Sequence, residues 1–384
     1  TATTANIAQF FGESDEGSAE RYFKQSLLLS AAVGVVVTLL GLVLEDLAFD
    51  VMGADSGLRA LAGDYYRIRL AGIPFSLTAF VSTGYLRGVQ DMKTPMVIAL
   101  LVNLMNALLD AILIYGIPPW FDGWGLPGAA IATVFCQFLF CVWSLSVVLR
   151  RHPVRLTVAG LFDLDRTLLA RMFTVNRHLF MRTAFLLGCF VLATALATRM
   201  GKYVLGAHQV GMQLVLFLAL ALDSFAIAAQ TLCGSLKGKG ELEELHLNAR
   251  LMVVWGLLLS VAFGLALWLG DDWIVASFTH DAVLVDSIKV ILPFVILLLG
   301  VNGINFVLDG VLMGVLDTRF LMIQLFVAGP LIFFPLAIAA YFCSWGLIGL
   351  WSALATFFSA RFVMNAWRFW SRTYVGGPPQ PSIR

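Results

Sequence analysis

The amino-acid sequence predicts an all-α, polytopic membrane protein made of two pseudo-symmetric lobes of six helices each. Three observations predict it. Hydrophobic residues make up 60% of the chain and charged residues only 13%, well beyond the roughly 45–50% apolar content of soluble domains. The apolar residues also fall in long runs, and a helix needs about 20 of them to cross roughly 30 Å of hydrocarbon. Finally, one motif frame occurs twice, 226 positions apart: Phe80-Val81-x-x-Gly84-x-Leu86-x-Gly88-Val89-x-Asp91 and Phe306-Val307-x-x-Gly310-x-Leu312-x-Gly314-Val315-x-Asp317. A second echo follows each copy, Gly123-Trp124-Gly125-Leu126-Pro127-Gly128 and Ser344-Trp345-Gly346-Leu347-Ile348-Gly349. Ordered echoes mark an internal repeat. In a membrane chain, paired repeats point to a transporter.

Ten runs read as spans, centred on 27–44, 69–86, 96–115, 129–149, 180–198, 206–230, 251–270, 288–313, 320–342 and 346–364. The turns between them are short and punctuated by Gly, Pro, Asp and Asn, with no room for a soluble domain. Lys and Arg concentrate in alternate connections: Arg21 and Lys24, Arg87 and Lys93, the block from Arg150 to Arg177, Lys237 to Arg250, Arg319, and then Arg361, Arg368 and Arg372. The other side holds Arg59, Arg67, Arg69, Arg199, Lys202 and Lys289 beside acidic stretches such as Asp271-Asp272. The positive-inside rule then puts the C-terminus in the cytoplasm. The expected organisation is a first lobe over 1–150, a cytoplasmic link over 151–178, a second lobe over 179–372 and a cytoplasmic tail over 373–384. Setting Ala8-Gln9 opposite Ala229-Gln230, at an offset of about 221, places Thr1 late in the counterpart of the span 206–230. On that register the first lobe lacks its first helix and most of its second.

Several function classes are excluded. The net charge of +1 is a sum over two faces and carries no message about nucleic acid. The five cysteines lie in spans or at their edges without metal-ligand spacing, and read as packing residues. There is no His-Glu-x-x-His, no Gly-x-Ser-x-Gly and no nucleotide-binding Gly-x-x-x-x-Gly-Lys-Ser/Thr. No catalytic residue, metal or cofactor is expected. Work against a gradient would then be driven by an ion, H⁺ or Na⁺.

Ionisable groups inside spans are costly, about 2.5–3.5 kcal/mol for a mid-helix Asp, and are functional candidates by default. Asp110 lies in an apolar helix with Asn106 four residues before it and Asn103 seven before, so the three share a face. Low dielectric disfavours the charge on a buried carboxyl, which suits such a group to exchange a proton, or to bind Na⁺ through its oxygens. The alternative for the amides is polar adhesion between helices. Asp309 stands where the first repeat has Thr83, and Asp223 reads as a third buried acid. Asn305, Gln209 and Gln213 complete the candidates for a cavity in the second lobe. Asp91 and Asp317 read as loop-structuring groups, and the Gly84/Gly88 and Gly310/Gly314 pairs as packing devices. His178 and His208 border spans and are open to proton relay, whereas His152, His246 and His280 read as solvated loop residues.

The block Gly84-Tyr-Leu-Arg-Gly-Val-Gln-Asp-Met-Lys-Thr-Pro95, with Asn103-Leu-Met-Asn106-Ala-Leu-Leu-Asp110 and Gly128-Ala-Ala-Ile-Ala-Thr133, resembles the multidrug and toxic compound extrusion (MATE) family. Asn176-Arg177-His-Leu-Phe-Met-Arg182-Thr183, Leu222-Asp223-Ser-Phe-Ala226 and Leu308-Asp309-Gly-Val-Leu-Met-Gly314 resemble its DinF-like branch. The resemblance covers essentially the whole chain. It implies a twelve-helix antiporter whose two lobes form a V around a central cavity. An amide and acid pair in the fifth helix matches Asn106 and Asp110, a hydroxyl in the sixth matches Thr133, and an acid in the tenth matches Asp309. Two departures stand out: the family's acid in the first helix falls in the segment read as missing, and Gln230 stands where many DinF-like chains have Glu.

The expected function is export of amphipathic, often cationic, small organic substrates in exchange for H⁺ or Na⁺. The expected setting is the lipid bilayer of a bacterial cytoplasmic (inner) membrane, with a multi-pass and monomeric chain. A lipid-linked oligosaccharide flippase shares the two-lobe design but would favour several basic residues in its cavity, and Arg182 is the one that clearly enters a span. An intramembrane protease built on Asp110 and Asp309 would lack the expected local motif.

Overall fold

The structure, a computed structural model, describes residues 1–51, 56–117, 119, 122–152, 154 and 164–371. Residues 153 and 155–163 of the expected link, and the expected tail 373–384, lie outside the described residues. Among the described residues the regular elements are helices, and nine are long and apolar enough to cross a membrane. The chain forms two compact units, one built on Thr3–Leu169 and the other on the residues from Ala170 onward.

Unit 1 holds α1 (Ala2–Gly12), α2 (Glu16–Val43), α3 (Glu45–Val51), α4 (Ser56–Ala71), α5 (Ile73–Gly88), α6 (Lys93–Tyr115) and α7 (Gly125–Arg151). The Asp15 side chain caps α2 by accepting from Ser18 N–H at 2.9 Å, and the Ser18 side chain, aided by that N–H and by the charge of Arg21, holds its carboxyl below the usual range. Ile7, Tyr22, Phe23 and Leu86 bury the contact of α1, α2 and α5. The expected span 69–86 is not one helix. It breaks at Gly72, because Pro74 in the first turn of α5 has no N–H to continue the ladder from α4.

Unit 2 begins within α8 (Arg166–Met200), which starts inside the stretch expected as a link. It continues with α9 (Lys202–Lys239), α10 (Leu242–Leu269), α11 (Asp271–Phe278) and α12 (Ala282–Gly314). One span, Thr318–Phe342, is divided into α13 (Thr318–Phe326), a π-helical stretch (Val327–Phe333) that contains Pro330, and α14 (Phe334–Phe342); α15 (Gly346–Trp370) closes the unit. Helix α12 runs through its middle. Ile291, Val295 and Leu298 of α12 are buried with Leu218 of α9 and with Trp351, Leu354 and Phe357 of α15.

The repeat is visible in backbone geometry. Gln90 and Leu316, 226 residues apart, both adopt left-handed conformations, with φ of 67° and 61°. Behind them Asp91 N–H donates to Leu86 O and Asp317 N–H to Leu312 O, both at 2.9 Å. Gly123 and Ser344, then Gly125 and Gly346, repeat a second left-handed pair at an offset of 221. The start of the repeat needs correcting. Ser14 (φ 57°) and Gly240 (φ 79°) end α1 and α9 at an offset of 226, and Gly88 meets Thr4 O as Gly314 meets Gln230 O. Thr4, rather than Gln9, is therefore the partner of Gln230. The offset of 221 at this point rests on the identity of a two-residue stretch alone, whereas the turns and close contacts align by shape.

Asp91 structures its turn as expected, whereas the Asp317 side chain caps nothing locally and instead ties its turn to α15. Asp91 accepts from Thr94 N–H at 3.0 Å and lies 4.0 Å from Arg151, and Asp317 pairs with Arg368 at 2.7 Å. Partial burial pushes the Asp91 carboxyl up, but the Thr94 hydrogen bonds and the charge of Arg151 outweigh it and hold the group below its usual range.

Candidate functional site

In unit 1 the seam between α6 and α7 is apolar, with Ile98, Val102 and Cys136 buried against Met105, Leu109 and Phe140. Beside it opens a cavity of about 320 Å³, lined by Ser76 and Phe80 of α5, Asn103 and Asn106 of α6, and Thr133, Cys136, Gln137 and Phe140 of α7. Three of the four first-lobe candidates, Asn103, Asn106 and Thr133, thus line one cavity. Asp110 stands one turn along α6, outside the lining, within electrostatic range of Cys136, which also interacts with Asn106. The Thr133 hydroxyl donates to Ala129 O of its own helix at 2.9 Å. Asn106 Nδ2, Asp110 Oδ1 and Gln137 Oε1 are buried without a hydrogen-bond partner. An unmet buried polar group costs about 1–3 kcal/mol, so three together mark a place suited to binding. Gln137 was not legible as a site residue because a glutamine in a span reads equally as helix adhesion.

Unit 2 presents the opposite charge. Asp309 is buried on α12, and one of its oxygens, Oδ2, accepts from Arg182 Nη2 of α8 and from Arg361 Nη2 of α15, each at 2.6 Å. Its Oδ1 accepts from Asn365 Nδ2 at 2.9 Å, and Asn365 also reaches Asn305 Oδ1 at 3.4 Å. Asn305 Nδ2 donates to Phe358 O, and Gln324 Nε2 to Arg361 O. Asp309 and Asn305 therefore belong to one network. Arg361 requires a correction: rather than a cytoplasmic basic residue, it is buried and held by the carboxylate. Proximity to the basic C-terminal end concealed this, although Arg361 and Asn365, one turn apart, already share a helical face.

By the repeat registers Asp309 corresponds to Thr83, Arg361 to Phe140 and Phe358 to Gln137. Phe140 and Gln137 line the cavity of unit 1, whereas Thr83 is buried outside its lining, so of the charged cluster in unit 2 only Arg361 stands at a cavity-lining position.

Asp223 is exposed rather than buried, on a face of α9 that it shares with the exposed Leu216 and Leu220. Gln209 and Gln213 are exposed on that same face. These three form a stripe on the surface of α9 and take no part in the Asp309 cluster. His208 is buried, 3.4 Å from Thr194 and edge-on to Trp351, and His178 meets Thr318 at 3.2 Å. His246 is packed rather than solvated, stacked on Phe369 with ring centroids 4.5 Å apart. Four of the five cysteines are buried as packing residues, and Cys343 is exposed.

The profile of the family described as MatE matches residues 1–112 and 179–339. Protein DETOXIFICATION 44, chloroplastic, of Arabidopsis thaliana is 32% identical over 91% of the chain, which spans 65% of that relative, just under two thirds of its length. DNA damage-inducible protein F of Escherichia coli (strain K12) is 28% identical over 98% of the chain and 80% of its own length. A crystal structure described as MATE in the bent conformation superposes with a TM-score of 0.88 at 21% identity, covering 97% of this chain and 82% of that one.

Proposed function

Since the chain belongs to the MatE family, whose members are transporters and not enzymes, we propose that it works as a secondary antiporter for amphipathic organic compounds, driven by H⁺ or Na⁺. The observation that carries this reading is the cavity of unit 1. Unpartnered polar atoms of Asn106 and Gln137 stand at its lining, and one turn along α6 from Asn106 is Asp110, a carboxyl with an unpartnered oxygen in a membrane span. A proton or a cation arriving at Asp110 changes the charge of α6 and hence which packing of its helix is favoured. That is the differential interaction with two states that alternating access requires. Asn103, Asn106 and Thr133 would orient the ion or the substrate, and the acid suits cationic compounds. Asp309 is a poorer coupling group, because removing its charge would strand two buried guanidiniums.

The flippase reading gains one observation, since Arg361 joins Arg182 inside unit 2. Both arginines, however, share a single carboxylate, which leaves less basic charge than a pyrophosphate would call for. A cytoplasmic-membrane location with the lobes, link and tail assigned above, a monomeric state and a cytoplasmic C-terminus complete the proposal. The test is transport of a cationic fluorescent dye by the protein in proteoliposomes, with a pH gradient and a Na⁺ gradient imposed separately. Efflux under one gradient names the ion, and efflux under neither removes the antiport reading.

A further inference from the structure

Unit 1 has a joint that unit 2 lacks. Helix α4 ends at Ala71 and α5 starts at Ile73. Pro74 has no N–H to offer Leu70 O, its partner in an unbroken helix, and that carbonyl instead accepts from Thr38 Oγ1 of α2 at 2.9 Å. The joint is also gripped from two sides by contacts that only glycine allows. A Cβ at Gly34 of α2 would lie 2.6 Å from Pro74 Cα, and a Cβ at Gly72 would collide with Gln137 Oε1 of α7. The break thus comes with its own supports in α2 and α7. By the repeat registers Gly72 corresponds to Leu298 and Gln137 to Phe358. Those two residues are buried in the apolar core of unit 2, where α12 runs unbroken.

Gln137 belongs to both the joint and the cavity. It lines the cavity with Asn106 and Thr133, yet its Oε1 lies against Gly72, buried without a hydrogen-bond partner. Gly72 cannot supply the missing donor, because its N–H is given to Arg69 O at 3.1 Å. A buried acceptor left in this way is costly, and a donor arriving in the cavity relieves it. We propose that Gln137 is a positioning residue that couples occupancy of this cavity to the joint. An occupant bearing N–H or O–H groups draws the amide oxygen off Gly72, and α4 is then free to turn on α5 about Gly72 and Pro74, a short hinge of the kind that absorbs a change in backbone angles. The occupant thereby favours one arrangement of the joint over the other, which is what a ligand-driven change requires. The inference rests on reading the unit 1 cavity as a binding site, and it needs no assignment of the coupling ion.

The experiment is hydrogen–deuterium exchange across residues 66–78 of the purified chain in phosphatidylcholine nanodiscs without a gradient, with benzamidinium or N,N,N-trimethylanilinium added. Both probes are aromatic monocations, and only benzamidinium carries N–H donors. Benzamidinium should speed exchange across the joint by about five- to tenfold, the factor that corresponds to one hydrogen bond. Trimethylanilinium should leave it unchanged. Gln137→Met, which keeps the reach of the side chain without its acceptor, should lose the response. Gln137→Glu, which keeps an acceptor, should retain it and covers the case in which the Met variant does not fold. A purely structural glutamine would let the joint exchange alike with either cation. No response to benzamidinium, an equal response to both cations, an undiminished response in Gln137→Met or a lost response in Gln137→Glu would each overturn the proposal. Exchange is read without transport, so the result stands apart from the dye-efflux test of the antiport reading.

Discussion

Arg361 donates to Asp309 across 2.6 Å in the interior of unit 2, and each side chain is only 5% exposed. The two residues come from apolar stretches of α15 and α12 that would otherwise read as plain membrane spans. Neither charge is tolerable there alone, and each accounts for the other. The pair, with Arg182 added from α8, ties three helices of the unit at one point. It also separates two kinds of buried acid in this chain. Asp309 has both oxygens engaged, one by two guanidiniums and the other by the Asn365 amide, while Asp110 keeps an oxygen without a partner.

That distinction predicts an order of stabilities. Asp309→Asn leaves the buried guanidinium of Arg361 and the partly exposed one of Arg182 facing a neutral amide and should cost about 3–5 kcal/mol, the usual effect of removing one partner of a buried ion pair. Arg182→Gln instead leaves a one-to-one pair, and should cost clearly less or nothing. Thermal unfolding of the purified variants in detergent measures both. Equal losses would show that the charge surplus of the cluster has no bearing on stability.

For Asp110 the expected effect is on coupling rather than folding. Asp110→Asn keeps the shape of the side chain and removes its ability to titrate, so gradient-driven dye efflux should be abolished while membrane insertion is retained. Asp309→Asn should reduce efflux less when normalised to inserted protein. Unchanged efflux from the Asp110 variant would move the coupling group elsewhere, and a greater loss in the Asp309 variant would place it in unit 2.

Much of the architecture could be read from the chain because the relevant signals are local. Long apolar runs specify helices whatever their neighbours, and the paired Gly-Asp frames specify turns that recur with the same left-handed residue. The break at Gly72 was also local, but the apolar content on both sides of Pro74 masked it. The candidate site was legible where several polar residues share one helix, as with Asn103, Asn106 and Asp110. It was not legible where partners come from distant helices. Nothing near Asp309 in sequence names Arg361 or Arg182, and an arginine near a basic terminus looks like a topology signal. Asp223 failed in the other direction: a lone acid in a span reads as buried, but the face it occupies depends on packing that periodicity alone did not resolve.

The loop acids predict a pH dependence. Asp91 has its folded-state carboxyl held below its ordinary value of about 3.9, so its contribution to stability is complete above that value. The contribution is lost as pH falls through the lower folded value. Asp91→Asn should therefore melt earlier than the parent at neutral pH, and the two should converge under acid conditions. A difference that stays constant down to about pH 3 would mean that the carboxylate's charge is not what stabilises the turn.

The repeated glycines provide a graded test of helix packing. A Cβ at Gly310 would collide with Ala226 O, and one at Gly314 with Gln230 O while lying 3.0 Å from the carbonyl carbon. These are backbone atoms of α9, so α12 could accept alanine only by moving away from it. At Gly88 the nearest atoms are Cβ and Cγ2 of Ile7 at 2.6 Å, and that Cβ moves only with the backbone of α1, whereas at Gly84 the nearest is Cβ of Thr3 at 3.1 Å, a contact relieved by a shift of a few tenths of an ångström. Overpacking of this kind costs about 1–3 kcal/mol. Gly310→Ala and Gly314→Ala should fall at the upper end of that range, Gly88→Ala in the middle, and Gly84→Ala near zero. Melting temperatures of the four variants in one detergent give the ranking. If Gly84→Ala proved as damaging as Gly314→Ala, close approach to backbone would not be what requires glycine, and the agreement between the two copies of the frame would need a different physical cause.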